Sequence, residues 1–193
     1  MQDIKLNPEK TALVVIDMQK GIANLGRKLE PYAADTVIKN VKLLVDKFRD
    51  TGAKVFLVHV TGTDGKDMLK PIVDEQAAWA SAPRAADWSD FVEDIKPTDN
   101  DIIITKRQWG AFYGTELDLQ LRRREINTIV LCGISTNIGV ETTAREAYQL
   151  GYNQIFAEDA MSAMTAEEHE NTKKYIFVRI GLIRSTEQIL NIF

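Results

Sequence analysis

A chain of 193 residues, with 45% hydrophobic and 27% charged residues, has the composition of a globular protein with a substantial core. Its net charge of −4 argues against nucleic-acid binding, because nucleic-acid binders usually carry a basic surface. A single cysteine excludes an internal disulfide framework, and no apolar run approaches the roughly 18 residues that span a membrane. These properties predict one domain over residues 1–193, located in the cytoplasm and bound to neither nucleic acid nor membrane.

Short, continuous apolar runs recur along the chain. Runs of this kind are typical of strands in a parallel sheet that is covered on both faces. They occur at 12–16, 55–60, 102–104 and 129–132, with weaker candidates at 154–157 and 181–184.

Helical patterns alternate with these runs. Between 35 and 51 the apolar residues fall on one helix face, and Gly52 follows as a stop signal. Thr165 and Glu168 predict a capping box that opens a helix through about Ile180. The alternation of strand and helix indicates an open α/β sheet with right-handed crossovers.

The region 61–100 contains no clear strand and is punctuated by glycines and prolines. A connection of this length is usually functional, either as a lid or as a subunit contact. Trp79 and Trp88 lie in this region. Each could belong to a lid, contact a second subunit, or simply pack within the fold.

Three of the predicted strands end on polar groups. Asp17 ends the first strand, Lys106 ends the third, and a turn from Ser135 to Gly139 follows the fourth. In open α/β sheets, ligands bind beyond the carboxyl ends of the strands, where the strand order reverses. Each group alone could simply mark a strand boundary. Together, with a helix N-terminus between them, they form a candidate acid–base and anion-stabilising site.

Three sequence blocks resemble the signature motifs of the isochorismatase-like cysteine hydrolases. The blocks run in order over 11–19, 106–117 and 132–145, and the resemblance covers nearly the whole chain. The position that usually carries the catalytic cysteine of that family is Gly139 here, as in a bacterial subgroup that the chain resembles. The resemblance implies a Rossmann-like α/β fold, with a six-stranded parallel sheet in the order 3-2-1-4-5-6 and helices on both faces. It also implies a homo-oligomer, a dimer or a tetramer, that acts on a small-molecule substrate without a cofactor.

The resemblance also assigns roles to individual residues. Asp17 matches the catalytic acid/base of the family, and Lys106 matches its catalytic lysine. The bond between Ile134 and Ser135 matches a characteristic non-proline cis peptide. In the family this bond turns the N–H of the Ser135 position toward the site. That N–H and the N–H of Gly139 would then form an oxyanion hole.

Residues beside these positions are expected to line the pocket: Gln19, Trp109, Phe112, Tyr113, Thr136 and Asn137. For the three aromatic residues among them, packing at a subunit interface is an equal alternative. Nicotinamidases of the family bind zinc through an Asp-x-His pair and a further histidine, a pattern that neither His59 nor His169 fits, so no metal is expected. His59 is interpreted as a satisfied core residue, His169 as a helix surface residue, and Cys132 as a packing residue.

Glycine at position 139 removes the covalent route of the cysteine members, in which a thiolate attacks an amide carbonyl. True isochorismatases also have glycine there and hydrolyse a vinyl ether by protonating the alkene and adding water. They hold the substrate carboxylate partly through a glutamine after the second strand, where this chain has Val60, Thr61 and Gly62. The resemblance therefore predicts acid–base hydrolysis of a vinyl ether, or of a related C–O or C–N bond, by Asp17 and Lys106 with water as nucleophile. Two alternatives stay open: a pseudoenzyme that binds a small metabolite, and an amide hydrolase that works without a cysteine.

Overall fold

The computed structural model describes residues 5–23, 26, 28–74 and 84–193. Six strands lie in this part of the chain: β1 (Thr11–Ile16), β2 (Lys54–Val60), β3 (Ile102–Lys106), β4 (Thr128–Ile134), β5 (Asn153–Ser162) and β6 (Leu182–Arg184). They form one sheet in the order β3-β2-β1-β4-β5-β6, and every neighbouring pair is parallel. The strand order implied by the resemblance is confirmed, and each of the six predicted apolar runs overlaps a strand.

Helices connect the strands. They are α1 (Lys20–Ala23), α2 (Ala34–Asp50), α3 (Leu117–Arg123), α4 (Glu141–Gln149), α5 (Ala166–Thr172), α6 (Val178–Ile180) and α7 (Thr186–Asn191). One π-helical turn at Thr136–Val140 leads into α4, and a second at Lys173–Phe177 joins α5 to α6. Among the residues described, no helix is long and apolar enough to cross a membrane.

The central strand β1 shows how the core forms on both faces of the sheet. All six of its residues are buried. Leu13 and Val15 pack with α2 on one face. Ala12, Val14 and Ile16 pack with α3 and α4 on the other face. Because successive side chains of a strand point to opposite faces, burial on both faces requires the continuous apolar run seen in the sequence.

The predicted helix boundaries follow from local chemistry. The buried face of α2 consists of the expected residues: Val37, Val41, Leu44, Val45 and Phe48. Gly52 follows this helix with a φ of +78°, a left-handed conformation that glycine adopts without a steric penalty. The capping box at α5 is confirmed, because Glu168 N–H donates to Thr165 Oγ1 while the Glu168 carboxylate accepts from Thr165 N–H.

The described part of the region 61–100 contains no strand, as expected. Phe91 is buried in the core. The ring of Trp88 packs so closely on α1 that a Cβ added to Gly21 would lie 2.1 Å from it. Trp88 therefore has a packing role within the chain, whereas Trp79 lies outside the described residues.

Candidate active site

The polar groups at the ends of β1, β3 and β4 meet at one edge of the sheet. β1 pairs with β2 on one side and with β4 on the other, so the strand order reverses beside it. Asp17 directly follows β1, and the turn of Ser135 to Gly139 directly follows β4. Lys106 reaches the same point from β3, two strands or roughly 10 Å away, because its side chain is long enough to cross β2.

Asp17 and Lys106 form a buried ion pair. Lys106 Nζ lies 2.8 Å from Asp17 Oδ2, and the two side chains are 1% and 8% exposed, respectively. The ammonium also donates to the backbone carbonyl of Trp109 at 2.6 Å. The lysine is therefore held between one charged acceptor and one neutral acceptor.

The environment of Asp17 suits proton transfer. Burial raises the pKa of its carboxyl above the usual range, and Lys106 partly opposes this effect. The second carboxylate oxygen, Oδ1, is buried and has no hydrogen-bond partner among the described residues. Asp17 also adopts a φ of +52°, which is uncommon for a residue other than glycine and is frequent at functional sites. A carboxyl with a raised pKa and a free oxygen is a candidate general acid and base.

Gly139 faces this pair. A Cβ added at Gly139 would lie 3.2 Å from Asp17 Oδ2 and 3.3 Å from Lys106 Nζ. It would also lie 2.9 Å from Cγ2 of Ile16, a tighter contact than a side chain normally makes. The space in front of Gly139 is therefore narrow and is bounded by both charged groups.

The turn between β4 and α4 is compact. The peptide bond between Ile134 and Ser135 is cis, as the resemblance implies. The carbonyl of Ser135 accepts from the N–H groups of Ile138 and Val140. Asn137 lies within the turn, where its Oδ1 accepts from the Ser135 hydroxyl at 3.0 Å.

Gly133, near the end of β4, allows the site to form and was not singled out from the sequence. Its φ is +116°, and a Cβ there would lie 2.0 Å from the carbonyl oxygen of Ile16. The register between β4 and β5 also shifts here, between Leu131 and Gly133. An isolated glycine in a strand pattern is a known signal of a bulge or of a close backbone approach.

A family model described as the isochorismatase domain matches residues 11–188 of this chain. The chain belongs to the isochorismatase family. The isochorismatase family protein YwoC of Bacillus subtilis is 54% identical over 190 residues, which cover 98% of this chain and 97% of the relative. A solved structure of an isochorismatase family protein from Burkholderia thailandensis has a TM-score of 0.91 at 38% identity, covering 99% of this chain and 98% of the other. The ureidoacrylate amidohydrolase RutB of Acinetobacter baylyi is 27% identical over 212 residues, covering 98% of this chain and 86% of the relative.

Gln19 has a structural position in this member of the isochorismatase family. Its side chain is fully buried, and its amide exchanges hydrogen bonds with the backbone N–H and carbonyl of Val60. It also donates to the carbonyl of Trp88. The amide therefore ties the end of β1 to β2 and to the segment before Phe91, which differs from the pocket-lining role expected of it.

The aromatic residues after Lys106 divide into two groups. Phe112 is 7% exposed and packs in the core, with its ring centroid 5.6 Å from that of Tyr152, so it does not line a pocket. Trp109 and Tyr113 are 63% and 76% exposed. Pocket lining and subunit packing stay open for these two side chains, while the backbone carbonyl of Trp109 accepts a hydrogen bond from Lys106.

Thr136 and His169 form a buried pair that corrects two predictions. His169 was expected on the helix surface, but it is fully buried, and its Nδ1 lies 2.9 Å from the hydroxyl of Thr136. Thr136 is also fully buried, so its side chain does not line an open pocket. The imidazole ring of His169 packs edge-on against Tyr32.

Glu158 is a carboxylate near this histidine. His169 and Lys173 lower the pKa of Glu158 to about 2.

The remaining candidates have packing roles. His59 bonds through one ring nitrogen to the carbonyl of Ser89 and through the other to the hydroxyl of Thr105, so it is satisfied as expected, but it is half-buried rather than part of the core. Cys132 is fully buried, and burial raises the pKa of its thiol. Within the described ranges, no group of three or more histidine, cysteine or carboxylate side chains is arranged to hold a metal ion.

We expect Lys106→Met to destabilise the fold by about 3–5 kcal/mol at neutral pH, because it leaves a buried carboxylate without its partner. Loss of Lys106 also removes the charge that opposes the rise in the Asp17 pKa. A carboxyl whose pKa is raised on folding stabilises the native state below its unfolded pKa, about 3.9. That contribution is lost as the pH rises through the folded pKa. The destabilisation relative to the wild type should therefore shrink as the pH is lowered.

Urea unfolding at about pH 7.5 and about pH 4.5 measures this difference. Lys39→Met is the matched control, because Lys39 is exposed on α2 and its replacement should change stability little at either pH. A destabilisation by Lys106→Met that is the same at both pH values would contradict the assignment of Asp17 as the group whose charge is left unpaired.

Proposed function

We propose that this chain is a hydrolase in which Asp17 transfers protons, Lys106 orients the substrate, and water is the nucleophile. The observation that supports this most directly is the position of Gly139. The point where its Cβ would lie is 3.2 Å from Asp17 Oδ2 and 3.3 Å from Lys106 Nζ. A molecule in front of this glycine is therefore adjacent to an acid and to a cation at once.

For a vinyl ether, the proposed reaction begins with protonated Asp17. The carboxyl donates its proton to the terminal alkene carbon, and the oxygen-bearing carbon becomes an oxocarbenium ion. The Asp17 carboxylate then removes a proton from water as the water oxygen bonds to that carbon. Asp17, now protonated again, donates that proton to the leaving oxygen as the hemiketal collapses and takes up the proton of the hemiketal hydroxyl, which gives a carbonyl compound, an alcohol and protonated Asp17. The raised pKa of Asp17 favours the protonated carboxyl that starts this sequence.

A C–N bond is the second candidate, and the resemblance to the ureidoacrylate amidohydrolase RutB favours it. In this variant Asp17 would act first as a base, because water must be deprotonated as it attacks an amide or ureido carbonyl. The N–H groups of Ser135 and Gly139 are proposed to bind the developing oxyanion. Asp17 would then return the proton to the leaving nitrogen.

Turnover of a panel that contains vinyl ethers, ureidoacrylate and small amides tests the proposal. We expect product from at least one class, and the reaction in H₂¹⁸O should place one ¹⁸O atom in the product at the carbon of the cleaved bond. Intact mass spectrometry during turnover should show no covalent adduct, since water attacks directly. A ligand that raises the melting temperature but gives no product from any class would favour the metabolite-binding pseudoenzyme instead.

Gly139→Ala is expected to lower turnover by about a hundredfold, because its methyl group would occupy the space between the acid, the lysine and the reacting atoms. The contact of 2.9 Å with Ile16 should also destabilise the fold by about 1–3 kcal/mol, as overpacking does. Steady-state kinetics and urea unfolding measure the two effects. Gly151→Ala is the control for turnover only, because Gly151 lies at the opposite edge of the sheet with nothing within 4 Å of its Cβ position, while its positive φ gives this variant a stability cost of its own. Wild-type turnover in Gly139→Ala would show that the substrate does not bind in front of this glycine.

A further inference from the structure

The hydroxyl of Thr143 lies between the two halves of the candidate site. Thr143 is fully buried on α4. Its Oγ1 donates to the carbonyl of Gly139 at 2.7 Å and accepts from the N–H of Ala111 at 3.1 Å. A threonine in a helix often donates to the carbonyl four residues earlier, so the first bond is ordinary. The second bond is unusual, because it joins this helix to the loop that follows Lys106.

Glu146 holds the same loop one helical turn farther along α4. Its Oε2 accepts from the N–H of Phe112 at 3.0 Å. Gly110 lies so close that an added Cβ would be 2.3 Å from this carboxylate. Residues three apart on a helix share a face, so Thr143 and Glu146 contact the loop side by side.

This arrangement sets the position of the lysine. The loop held by Thr143 and Glu146 includes the backbone of Trp109, whose carbonyl accepts from Lys106 Nζ. The hydroxyl of Thr143 also donates a hydrogen bond to the carbonyl of Gly139, in the turn that follows β4. The hydroxyl of Thr143 therefore connects the loop that holds Lys106 to the turn that contains Gly139.

We propose that Thr143 is a positioning residue that fixes Lys106 relative to Asp17 and Gly139 by bonding both segments at once. This inference rests on the proposed function, because the site it positions is the proposed one. A hydroxyl suits the task because it donates one hydrogen bond and accepts others at the same atom. Valine has nearly the same shape but can make neither bond.

The test compares three single variants of the full chain: Thr143→Val, Thr143→Ser and Thr142→Val. Serine keeps the hydroxyl, so Thr143→Ser should retain the wild-type titration of Asp17 that Thr143→Val changes. Thr142 is the neighbouring, half-buried threonine of α4, so its replacement controls for the general effect of valine in this helix. The primary readout is the titration of the Asp17 carboxyl carbon followed by NMR, which needs no substrate.

We expect Thr143→Val to raise the measured pKa of Asp17 by at least about half a unit, because the Lys106 ammonium that lowers it is held less closely. Thr143→Ser and Thr142→Val should leave it within about 0.2 units of the wild-type value. A rise of less than about half a unit, or a lowered pKa, in Thr143→Val would overturn the proposal. If Thr143→Val does not fold, Thr143→Ala removes the same two bonds with a smaller side chain, and the same criteria apply.

Turnover is the second readout. Slight displacement of a catalytic group affects the chemical step more than ground-state binding, so Thr143→Val should lower kcat by about ten- to a hundredfold with little change in KM. The two proposals can fail separately. If the wild type turns over no substrate, the hydrolase proposal fails while the NMR comparison still decides the role of Thr143.

Discussion

Replacing Asp17 by asparagine is expected to lower kcat/KM by about three orders of magnitude, within the range known for loss of a general acid or base. Asparagine has nearly the same shape and can still accept a hydrogen bond from Lys106. It cannot donate or remove a proton in the pH range in which the carboxyl titrates. Among the described residues, Asp17 is the carboxylate that pairs with Lys106, so no other acid there is placed to replace it.

Steady-state kinetics on the substrate found in the turnover panel measure this loss, with circular dichroism to verify folding. Asp99→Asn is the matched control, because Asp99 is exposed and its replacement should leave turnover unchanged. Asp17→Glu restores a carboxyl one methylene farther out and should recover part of the activity. Turnover within threefold of the wild type in Asp17→Asn would rule out Asp17 as the acid/base.

Gly133→Ala is expected to have the largest effect on stability, about 4 kcal/mol or more, a size reached by few single substitutions. Two separate causes add here. A φ of +116° is strained for any residue with a Cβ, and that Cβ would lie 2.0 Å from the carbonyl oxygen of Ile16. The collision is with the backbone of the central strand, which cannot move without breaking its pairing to both neighbours.

Urea unfolding of Gly133→Ala is best compared with Gly151→Ala. Gly151 also has a positive φ, +79°, but nothing lies within 4 Å of its Cβ position. Gly151→Ala should therefore show only the left-handed penalty, roughly 1–2 kcal/mol. The difference between the two variants reports the contact with Ile16 together with any additional backbone strain at a φ of +116°. Equal destabilisation by both would mean that the strands can separate enough to accept a methyl group.

The fold was largely predictable because burial on both faces leaves a simple signal. Each strand contains a short apolar run, and the ends of parallel strands lie at one edge of the sheet. The proximity of Asp17, Lys106 and Gly139 could be expected for the same reason, since each lies at or after a strand end. The contact between Lys106 and Asp17 could not be predicted from the strand ends, because it depends on the length of the lysine side chain that crosses β2.

The side chains around the site were less predictable. Gln19 was expected to line the pocket because it lies beside Asp17 in the sequence. Its amide instead binds the backbone of Val60 and Trp88, which are distant in the sequence. His169 lies among glutamates on α5, so its helix face appeared polar. The buried face there consists of His169 and Thr172, which are both polar and give no apolar stripe.

The role of Thr143 had no signal in the sequence. A threonine inside a helix is ordinary, and its second hydrogen bond joins residues 32 positions apart in the chain. Such a contact depends on how the loop after Lys106 packs on α4. Local propensity and periodicity carry no information about that packing.

Glycine at position 139 has a consequence for the behaviour of the protein under oxidative stress. Catalytic thiolates are oxidised by peroxide because they are ionised and accessible. Here the reacting groups are proposed to be a carboxyl, an ammonium and water, and the single cysteine is fully buried on β4 with its thiol pKa raised. The proposed site therefore has no catalytic thiolate that peroxide could oxidise. We expect this chain to keep its activity under peroxide concentrations that inactivate the cysteine-dependent members of the superfamily.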